Sequence, residues 1–321
     1  MKFLVILAAC LLAAEAAPKK SLWRPTTKAD FQNLKTRNIM QMQALSFVKP
    51  KKPSPLPTTP VSAISAPRQA DCGLENTKSA SGKIVGGAET NPNQFPWVSA
   101  LNCVNTFFCT SSIVNENWIL TAAHCVDGCN NGWDVTVGVH DLSRPESTAQ
   151  TIHAPASNGM THPLWDAALI INDIALVRLP EAIEFSDVVR PSCMVDSGDI
   201  GDDLVGQETT CTGWGKLSDS PFEGRADKMH FVRGRKIITN EECAGTYGST
   251  ITDGHVCIDT SDGKGVCSGD SGGPLNLQTA SGQYKTVGVT SFVSGAGCAS
   301  GYPHGFTRTT AYLDWILDNT R

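Results

Sequence analysis

No run of this 321-residue sequence stays apolar for the ~20 residues that a membrane-spanning helix needs, so no membrane partner is expected. The tripeptide Asn-x-Ser/Thr does not occur, and N-linked glycosylation is therefore not expected. Acidic residues are nearly missing from one stretch: residues 17–83 hold 3 Asp and Glu against 12 Lys and Arg, a net of +9. The remainder has the opposite shortage, since residues 84–321 hold 13 basic against 27 acidic side chains, a net of −14. A domain that acidic repels phosphate backbones, which removes nucleic acid from its expected partners. Charged residues are only 18% of the chain against 40% hydrophobic. That balance excludes wholesale disorder and leaves apolar material for one large core or two small ones.

At the start, Lys2 precedes an apolar run from Phe3 to Ala14, then Ala14-Glu15-Ala16. A charged start, a short greasy middle and small residues at the end form a secretory signal. Residues 1–16 are expected to be removed, and the protein to be secreted and extracellular. The 12 cysteines agree, because Cys10 falls in the signal and the other 11 would be cross-linked in an oxidising compartment. An odd number leaves at least one thiol without an intramolecular partner. Pro50, Pro53, Pro55, Pro57, Pro60 and Pro67 fall among Lys, Ser and Thr, so residues 17–83 read as a basic, Pro-rich extended segment. Within it Phe31, Leu34, Met42 and Leu45 could share a helical face between Asp30 and Val48, and an irregular leader accounts for them equally well.

After Ile84 the texture changes to short apolar or alternating runs, such as Trp97 to Leu101, Trp118 to Ala122, Ile174 to Leu179 and Thr286 to Phe292. Gly, Asn, Asp and Pro separate them, which predicts an all-β barrel or sandwich. Tyr312, Leu313, Ile316 and Leu317 sit instead at helical spacing and predict a closing C-terminal helix. Three motifs carry chemistry. Thr121-Ala122-Ala123-His124-Cys125 comes first, Asn172-Asp173-Ile174-Ala175-Leu176 places Asp173 49 residues later, and Gly269-Asp270-Ser271-Gly272-Gly273-Pro274 places Ser271 98 residues after that. A serine hydroxyl is a poor nucleophile until an imidazole takes its proton, and the imidazole needs a carboxylate to fix its tautomer and stabilise its cation. Glycines around Ser271 would let backbone amides face a developing oxyanion.

Taken singly, His124 could be a core histidine, Asp173 a turn residue and Ser271 one serine in a glycine-rich loop. Together, in a disulfide-rich β-domain, the motifs resemble the chymotrypsin-like, trypsin-fold serine endopeptidases of the arthropod chymotrypsin, elastase and collagenolytic type. The resemblance covers residues 84–321. It implies two six-stranded antiparallel β-barrels with the active site between them and a C-terminal helix. Ser271 would be the nucleophile, His124 the general base and then acid, Asp173 its orienting carboxylate, and the amides of Gly269 and Ser271 the oxyanion hole. Lys83-Ile84-Val85-Gly86-Gly87 resembles the family's activation site, where cleavage after Lys83 frees the Ile84 amine to pair with Asp270. The chain would thus be a zymogen. Implied disulfides are Cys72–Cys193, Cys103–Cys129, Cys109–Cys125, Cys243–Cys257 and Cys267–Cys298. Cys211 is left over, because its usual partner position holds Leu277.

In trypsins an aspartate six residues before the serine binds Lys or Arg; here that position is Gly265, followed by Val266. An uncharged floor leaves a buried cation without a counter-charge, so apolar substrate side chains are expected. The wall Ser291-Phe292-Val293 resembles that of elastases, in which valine narrows the pocket. His304 occupies another wall position, where relatives carry glycine, a threonine-like residue or aspartate. A neutral His304 would shorten the pocket, and its protonation near pH 6.5 would disfavour apolar side chains. A zinc site from His124, Cys125 and Cys129 is the metal alternative, set aside because secreted cysteines with implied partners are committed to bridges. No metal or other cofactor is expected. Nor is a calcium loop, since Asp141 and Glu146 stand isolated between His140 and His153.

The expected partners are protein or peptide substrates, an activating trypsin-like protease and protein protease inhibitors, and the chain is expected to be a monomer. The leading function is a digestive endopeptidase cutting after apolar residues. The alternative is a regulatory or binding protein on the protease fold, against which the intact triad argues. A cascade protease is disfavoured because Cys72 is the one leader cysteine past the signal, too few for a disulfide-knotted clip domain.

Overall fold

Alternation builds the strands. In Trp133–Val137 the apolar Trp133, Val135 and Val137 are buried while Asp134 and Thr136 are only half-covered, the period of two that a one-sided sheet requires. The computed structural model describes residues 72–76 and 87–321. The candidate signal 1–16, the candidate helical face at 30–48, most of the segment 17–83, and Lys83 and Ile84 lie outside the described residues.

The first sheet contains β2 (Val98–Cys103), β3 (Phe107–Asn115), β4 (Trp118–Thr121), β5 (Trp133–Val137), β6 (Gln150–Ala154), β7 (Gly159–Thr161) and β8 (Ala175–Arg178). Their order is β6-β5-β2-β3-β4-β8-β7, antiparallel throughout, a half-barrel. The second contains β1 (Ala88–Glu89), β9 (Cys193–Met194), β10 (Glu208–Gly213), β11 (His230–Ile238), β12 (His255–Ile258), β13 (Pro274–Gln278), β14 (Tyr284–Phe292) and β15 (His304–Arg308). Here β11-β10-β13-β14-β15-β12 forms a ring, because β12 pairs back onto β11 through Ile237 with Ile258 and Ile238 with Cys257. The molecule is mostly β, with one closed six-stranded barrel. Ile113, Ile119, Leu120, Trp133, Val135 and Leu176 anchor the first core, and Val256, Ile258, Val266, Leu275, Val287 and Phe306 the second. Trp97 bridges them, its Nε1 donating to Asn276 Oδ1 at 2.8 Å.

Two helices complete the described chain. Helix α1 (Asn240–Tyr247) starts where Thr239 Oγ1 accepts from the Glu242 amide at 3.0 Å, with Glu241 and Glu242 in its first turn. Helix α2 (Leu313–Thr320) docks through Leu313 and Ile316, whereas Leu317 is 39% exposed and takes no part in the core. Disulfides join Cys72 to Cys193, Cys103 to Cys129, Cys109 to Cys125, Cys243 to Cys257 and Cys267 to Cys298. Both Cys125 and Cys129 are thereby spent, which removes the thiolates of the zinc alternative. Cys211 is a buried free thiol on β10, and desolvation pushes its pKa far up, leaving it un-ionised. Residues 72–76 are seated by more than the disulfide: Glu75 bonds Arg233, Gln94 Nε2 at 2.5 Å and the Tyr284 hydroxyl at 3.2 Å.

The loop after His140 corrects one expectation. Asp141 and Glu146 are not isolated: Arg144 reaches both, with Nε 3.0 Å from Asp141 Oδ2 and Nη2 3.7 Å from Glu146 Oε1. Glu146 also accepts the backbone amides of His140 and Asp141 at 2.7 and 3.2 Å. A guanidinium and two amides thus satisfy the carboxylates within the loop itself. Glu146→Ala should strip two amides of their acceptor and destabilise the fold by about 1–3 kcal/mol, read by denaturant melts. A chelator should leave the unmutated chain's Tm unchanged; a chelator-induced drop would contradict the internal closure.

Candidate active site

Strand register brings the first two residues together. β4 and β8 are antiparallel with Thr121 opposite Ala175, so the turn Ala123–Cys125 that follows β4 and the residues that precede β8 emerge at the same sheet edge. His124 sits in that turn and Asp173 two residues before β8. His124 Nδ1 lies 2.8 Å from Asp173 Oδ2, and the His124 amide donates to Oδ1 at 2.9 Å. Asp173 has no exposed surface, while the His124 side chain is 33% exposed. Because a carboxylate only accepts, Nδ1 carries the proton and Nε2 is left basic toward the cleft.

The second barrel grips the same carboxylate. Ser291 Oγ on β14 donates to Asp173 Oδ2 at 2.5 Å, and Thr307 Oγ1 on β15 donates to its carbonyl at 2.7 Å. Tyr312, at the mouth of α2, donates from its hydroxyl to Asn172 Oδ1 at 2.9 Å. Burial pushes the Tyr312 pKa up to about 12, so this donor keeps its proton.

Ser271 lies in the loop before β13. The Thr110 amide donates to the Ser271 carbonyl at 2.8 Å and Thr110 Oγ1 to the Gly269 carbonyl at 2.9 Å, which fixes the loop against β3. The amides of Gly269 and Ser271 have no partner among the described residues and are free for an oxyanion. Gly269 has φ +106° and Gly272 φ +78°. A side chain at Gly272 would also meet Thr121 Oγ1 at 2.0 Å, so both backbone and space demand glycine there. No hydrogen bond joins Ser271 to His124 among the described residues; in unliganded sites such bonds are often long and tighten only around substrate.

This arrangement can be compared with known proteins. The family model described as Trypsin matches residues 84–316. The chain belongs to the trypsin family. Brachyurin of Leptuca pugilator is 42% identical over 237 residues, covering 74% of this chain and 98% of that protein. Collagenase of Hypoderma lineatum is 33% identical, over 74% of this chain and 88% of its own length. A solved structure of HL collagenase superposes with a TM-score of 0.64 at 32% identity, covering 74% of this chain and 98% of that one. The chain is therefore a serine endopeptidase of the chymotrypsin- and elastase-like kind.

In this trypsin-family domain three of the candidate pocket residues, Gly265, Val266 and His304, come together. Val266 and His304 are buried, and the His304 ring lies against Gly265, where an added Cβ would stand 2.5 Å from the ring. The Val266 amide donates to His304 Nδ1 at 3.1 Å, so Nε2 carries the proton and donates to the Cys298 carbonyl at 3.0 Å. Burial lowers the His304 pKa to about 4, which corrects the expectation that it titrates near pH 6.5. Phe292 packs on Gly305 and meets Tyr247 edge-on at 5.0 Å, while Val293 packs against the second core.

Asp270 is half-buried at the edge of a cavity, its Oδ1 accepting from the Gly215 amide at 2.8 Å and Oδ2 from the Cys267 amide at 2.9 Å. Desolvation outweighs both bonds and pushes its pKa up to about 6. It makes no ion pair among the described residues. A cavity reaches Asp270, and Gly87, three residues past Ile84, lines the same cavity.

Several site residues carry no sequence motif. Trp165, Asp127 and Ile170 line a hollow together with His124 and Ser291. Ile170 has φ +55°, an outlier for a β-branched residue, and its carbonyl lies 3.3 Å from Nε2 of the buried His255. Only φ and a contact 85 residues away in sequence mark these positions, and neither is written in local pattern.

Two expectations follow from the buried titrating groups. Asp270 has a folded pKa above its unfolded value, so its contribution is fully present below about pH 4 and is lost, by about 3 kcal/mol, as pH rises through about 6. Asp270→Asn should abolish that component, so denaturant melts of the two proteins should agree at pH 4 and diverge at pH 7, where the variant is relieved of the buried charge. His304 stays neutral from pH 5.5 to 8.5, so substrate side-chain preference should not change over that range. His304→Gly should raise the Phe-to-Ala ratio in kcat/KM about tenfold by deepening the pocket; a pH-dependent preference, or an unaltered ratio in the variant, would contradict the assignment.

Proposed function

We propose that this protein is a secreted zymogen of a digestive endopeptidase, activated by cleavage after Lys83, that hydrolyses peptide bonds after apolar residues through Ser271, His124 and Asp173. The observation that carries it is the His124–Asp173 pair, in which a buried carboxylate 2.8 Å from Nδ1 leaves Nε2 as the base. Ser271 Oγ attacks the scissile carbonyl as Nε2 takes its proton. The oxyanion meets the amides of Gly269 and Ser271, and His124 passes the proton to the leaving amine. Water then repeats the sequence on the acyl-enzyme, and His124 returns the proton to Ser271.

Latency has its own support. Asp270 is a carboxylate that burial penalises, in a cavity that Gly87 lines. An Ile84 ammonium released nearby would supply the missing counter-charge and order the Gly269–Ser271 loop. The pocket with Gly265 and Val266 offers no partner to a basic side chain, so activation after Lys83 calls for a trypsin-like protease. Cys72–Cys193 and the Glu75 contacts would keep the cut leader attached. The uncharged pocket, the acidic domain and the likeness to brachyurin and collagenase favour digestion of protein, with protein inhibitors as further partners and a monomer as the working form.

The test is hydrolysis of a peptide library by the full chain before and after trypsin cleavage at Lys83, with the trypsin removed and Ser271→Ala as control. Activity is expected only after cleavage, only with Ser271, and after Ala, Val, Leu or Phe. A correct Ile84 N-terminus without activity would overturn the proposal in favour of a binding protein on the protease fold.

A further inference from the structure

Among the described residues, three aspartates draw backbone amides from distant parts of the chain. Asp173 takes the amide of His124, 49 residues away, and Asp270 that of Gly215, 55 away. Both have places in the machinery proposed above. The third is Asp219, whose Oδ1 accepts from the Cys298 amide at 2.6 Å and Oδ2 from the Ala299 amide at 3.0 Å, 79 and 80 residues ahead. Other exposed aspartates that accept amides, such as Asp166, Asp196, Asp202 and Asp259, take them from two or three residues on and close their own turns.

Asp219 is exposed, in the loop that follows β10. A carboxylate gripping two successive amides makes two charge-assisted bonds in a fixed geometry, which ties this loop to the Cys298 segment. Space is cleared for the grip: Gly297 has φ +120°, and a Cβ there would stand 2.6 Å from Asp219 Oδ2. The segment so held belongs with the candidate pocket. Cys298 and Ala299 line the same cavity as Gly265 and Val266, and Leu217 and Ser218 of the Asp219 loop line it too. The Cys298 carbonyl accepts from His304 Nε2 at 3.0 Å. That carbonyl and the Ala299 amide are the two ends of one planar peptide unit. A single chain of bonds therefore runs from Asp219 through this peptide to the His304 ring, and the carboxylate fixes where the carbonyl points.

We propose that Asp219 is a positioning residue that sets the depth of the substrate pocket, holding the His304 ring against Gly265 through the Cys298–Ala299 peptide. The inference rests on the hydrolytic reading of Ser271 above and on Gly265, Val266 and His304 as its pocket. Without the carboxylate the peptide is free to rotate, its bond to His304 loosens, and the ring yields to a longer substrate side chain. Loss of Asp219 should shift preference in the same direction as His304→Gly, and by less, because the Val266 amide still holds Nδ1. A shift of about three- to fivefold is the worth of one net hydrogen bond.

The experiment uses the full chain cut at Lys83 and peptides that differ only in carrying Phe or Ala before the scissile bond. The Phe-to-Ala ratio in kcat/KM is measured for wild type, Asp219→Asn, Asp219→Ala, His304→Gly and the double variant Asp219→Asn with His304→Gly. Asparagine keeps the shape and sets an NH2 against one of the two amides. A ratio taken on one preparation does not depend on how much of it is active, so partial misfolding leaves it unmoved. p-Nitrophenyl acetate, which has no side chain to place in a pocket, is run on the wild type. Both Asp219 variants should raise the ratio about three- to fivefold, and Asp219→Asn should add nothing once His304 is replaced. A ratio unmoved or lowered in the Asp219 variants, or raised equally with and without His304, overturns the inference. Wild type that turns over the ester and neither peptide overturns it too and leaves Ser271 as the nucleophile; wild type that turns over nothing overturns the hydrolytic reading as well.

Discussion

A carboxylate with no exposed surface, Asp173, is the constraint around which the rest of the molecule is arranged. Burying an ion costs several kcal/mol unless its lone pairs are filled, and removing one partner leaves that cost uncompensated. Here the amide and ring of His124 fill two acceptor positions from the half-barrel, and Ser291 fills a third from the closed barrel. The two sheets are therefore joined by more than apolar contact at the place where a base is needed. Thr307 on the carbonyl and Tyr312 on Asn172 extend the grip to the last strand and the entry of the closing helix. The C-terminal helix is in this sense part of the orientation of His124, although none of its own side chains reaches the imidazole.

Asp270 is the complementary case, and the contrast assigns each carboxylate its part. It has two backbone donors and no hydroxyl or imidazole among the described residues, and burial pushes it up to about 6. One carboxylate is satisfied as it stands, and the other is arranged so that a cation would improve it. Asp270 and Ser271 are adjacent and have glycine on either side, so the backbone proposed to present two amides is also the backbone that an incoming charge can order. His304 opposes Asp270 in its effect on stability. Its folded pKa, lowered to about 4, makes stability fall as pH drops below about 6.5, whereas Asp270 makes it fall as pH rises toward 6.

What the sequence disclosed was what local pattern can encode. Alternation in runs such as Trp133–Val137 announces strands, and the short motifs around His124, Asp173 and Ser271 name chemistry because each is contiguous. The missed features depend on distance through space. His304 loses its titration to burial among Val266, Gly265 and Cys298, a quantity that no neighbour in sequence reports. Asp141 and Glu146 look isolated until a turn folds Arg144 between them. Leu317 has the spacing of a core residue and is exposed all the same, since it follows Ile316 by one residue and so points roughly 100° round the helix from the docked side. Asp219 and Cys298 are 79 residues apart, and only the folded chain makes them one feature.

The pocket carries the argument one step further. Both nitrogens of His304 are engaged, one accepting from Val266 and one donating to the carbonyl of Cys298, and the buried ring packs against Gly265 through its Cε1–Nδ1 side. With both nitrogens spent, the ring has no free acceptor for an ammonium. The same ring explains the glycine beneath it. Any side chain at 265 would begin 2.5 Å from the His304 ring, so an aspartate there, the residue that would recognise Lys or Arg, has no room while His304 remains. The Cys267–Cys298 bridge then locks the arrangement, because it fixes the carbonyl that orients His304 to the segment that follows Val266. Gly265 and His304 are thus a single steric decision, and the proposed exclusion of basic substrates rests on that pair together, more than on the missing carboxylate alone.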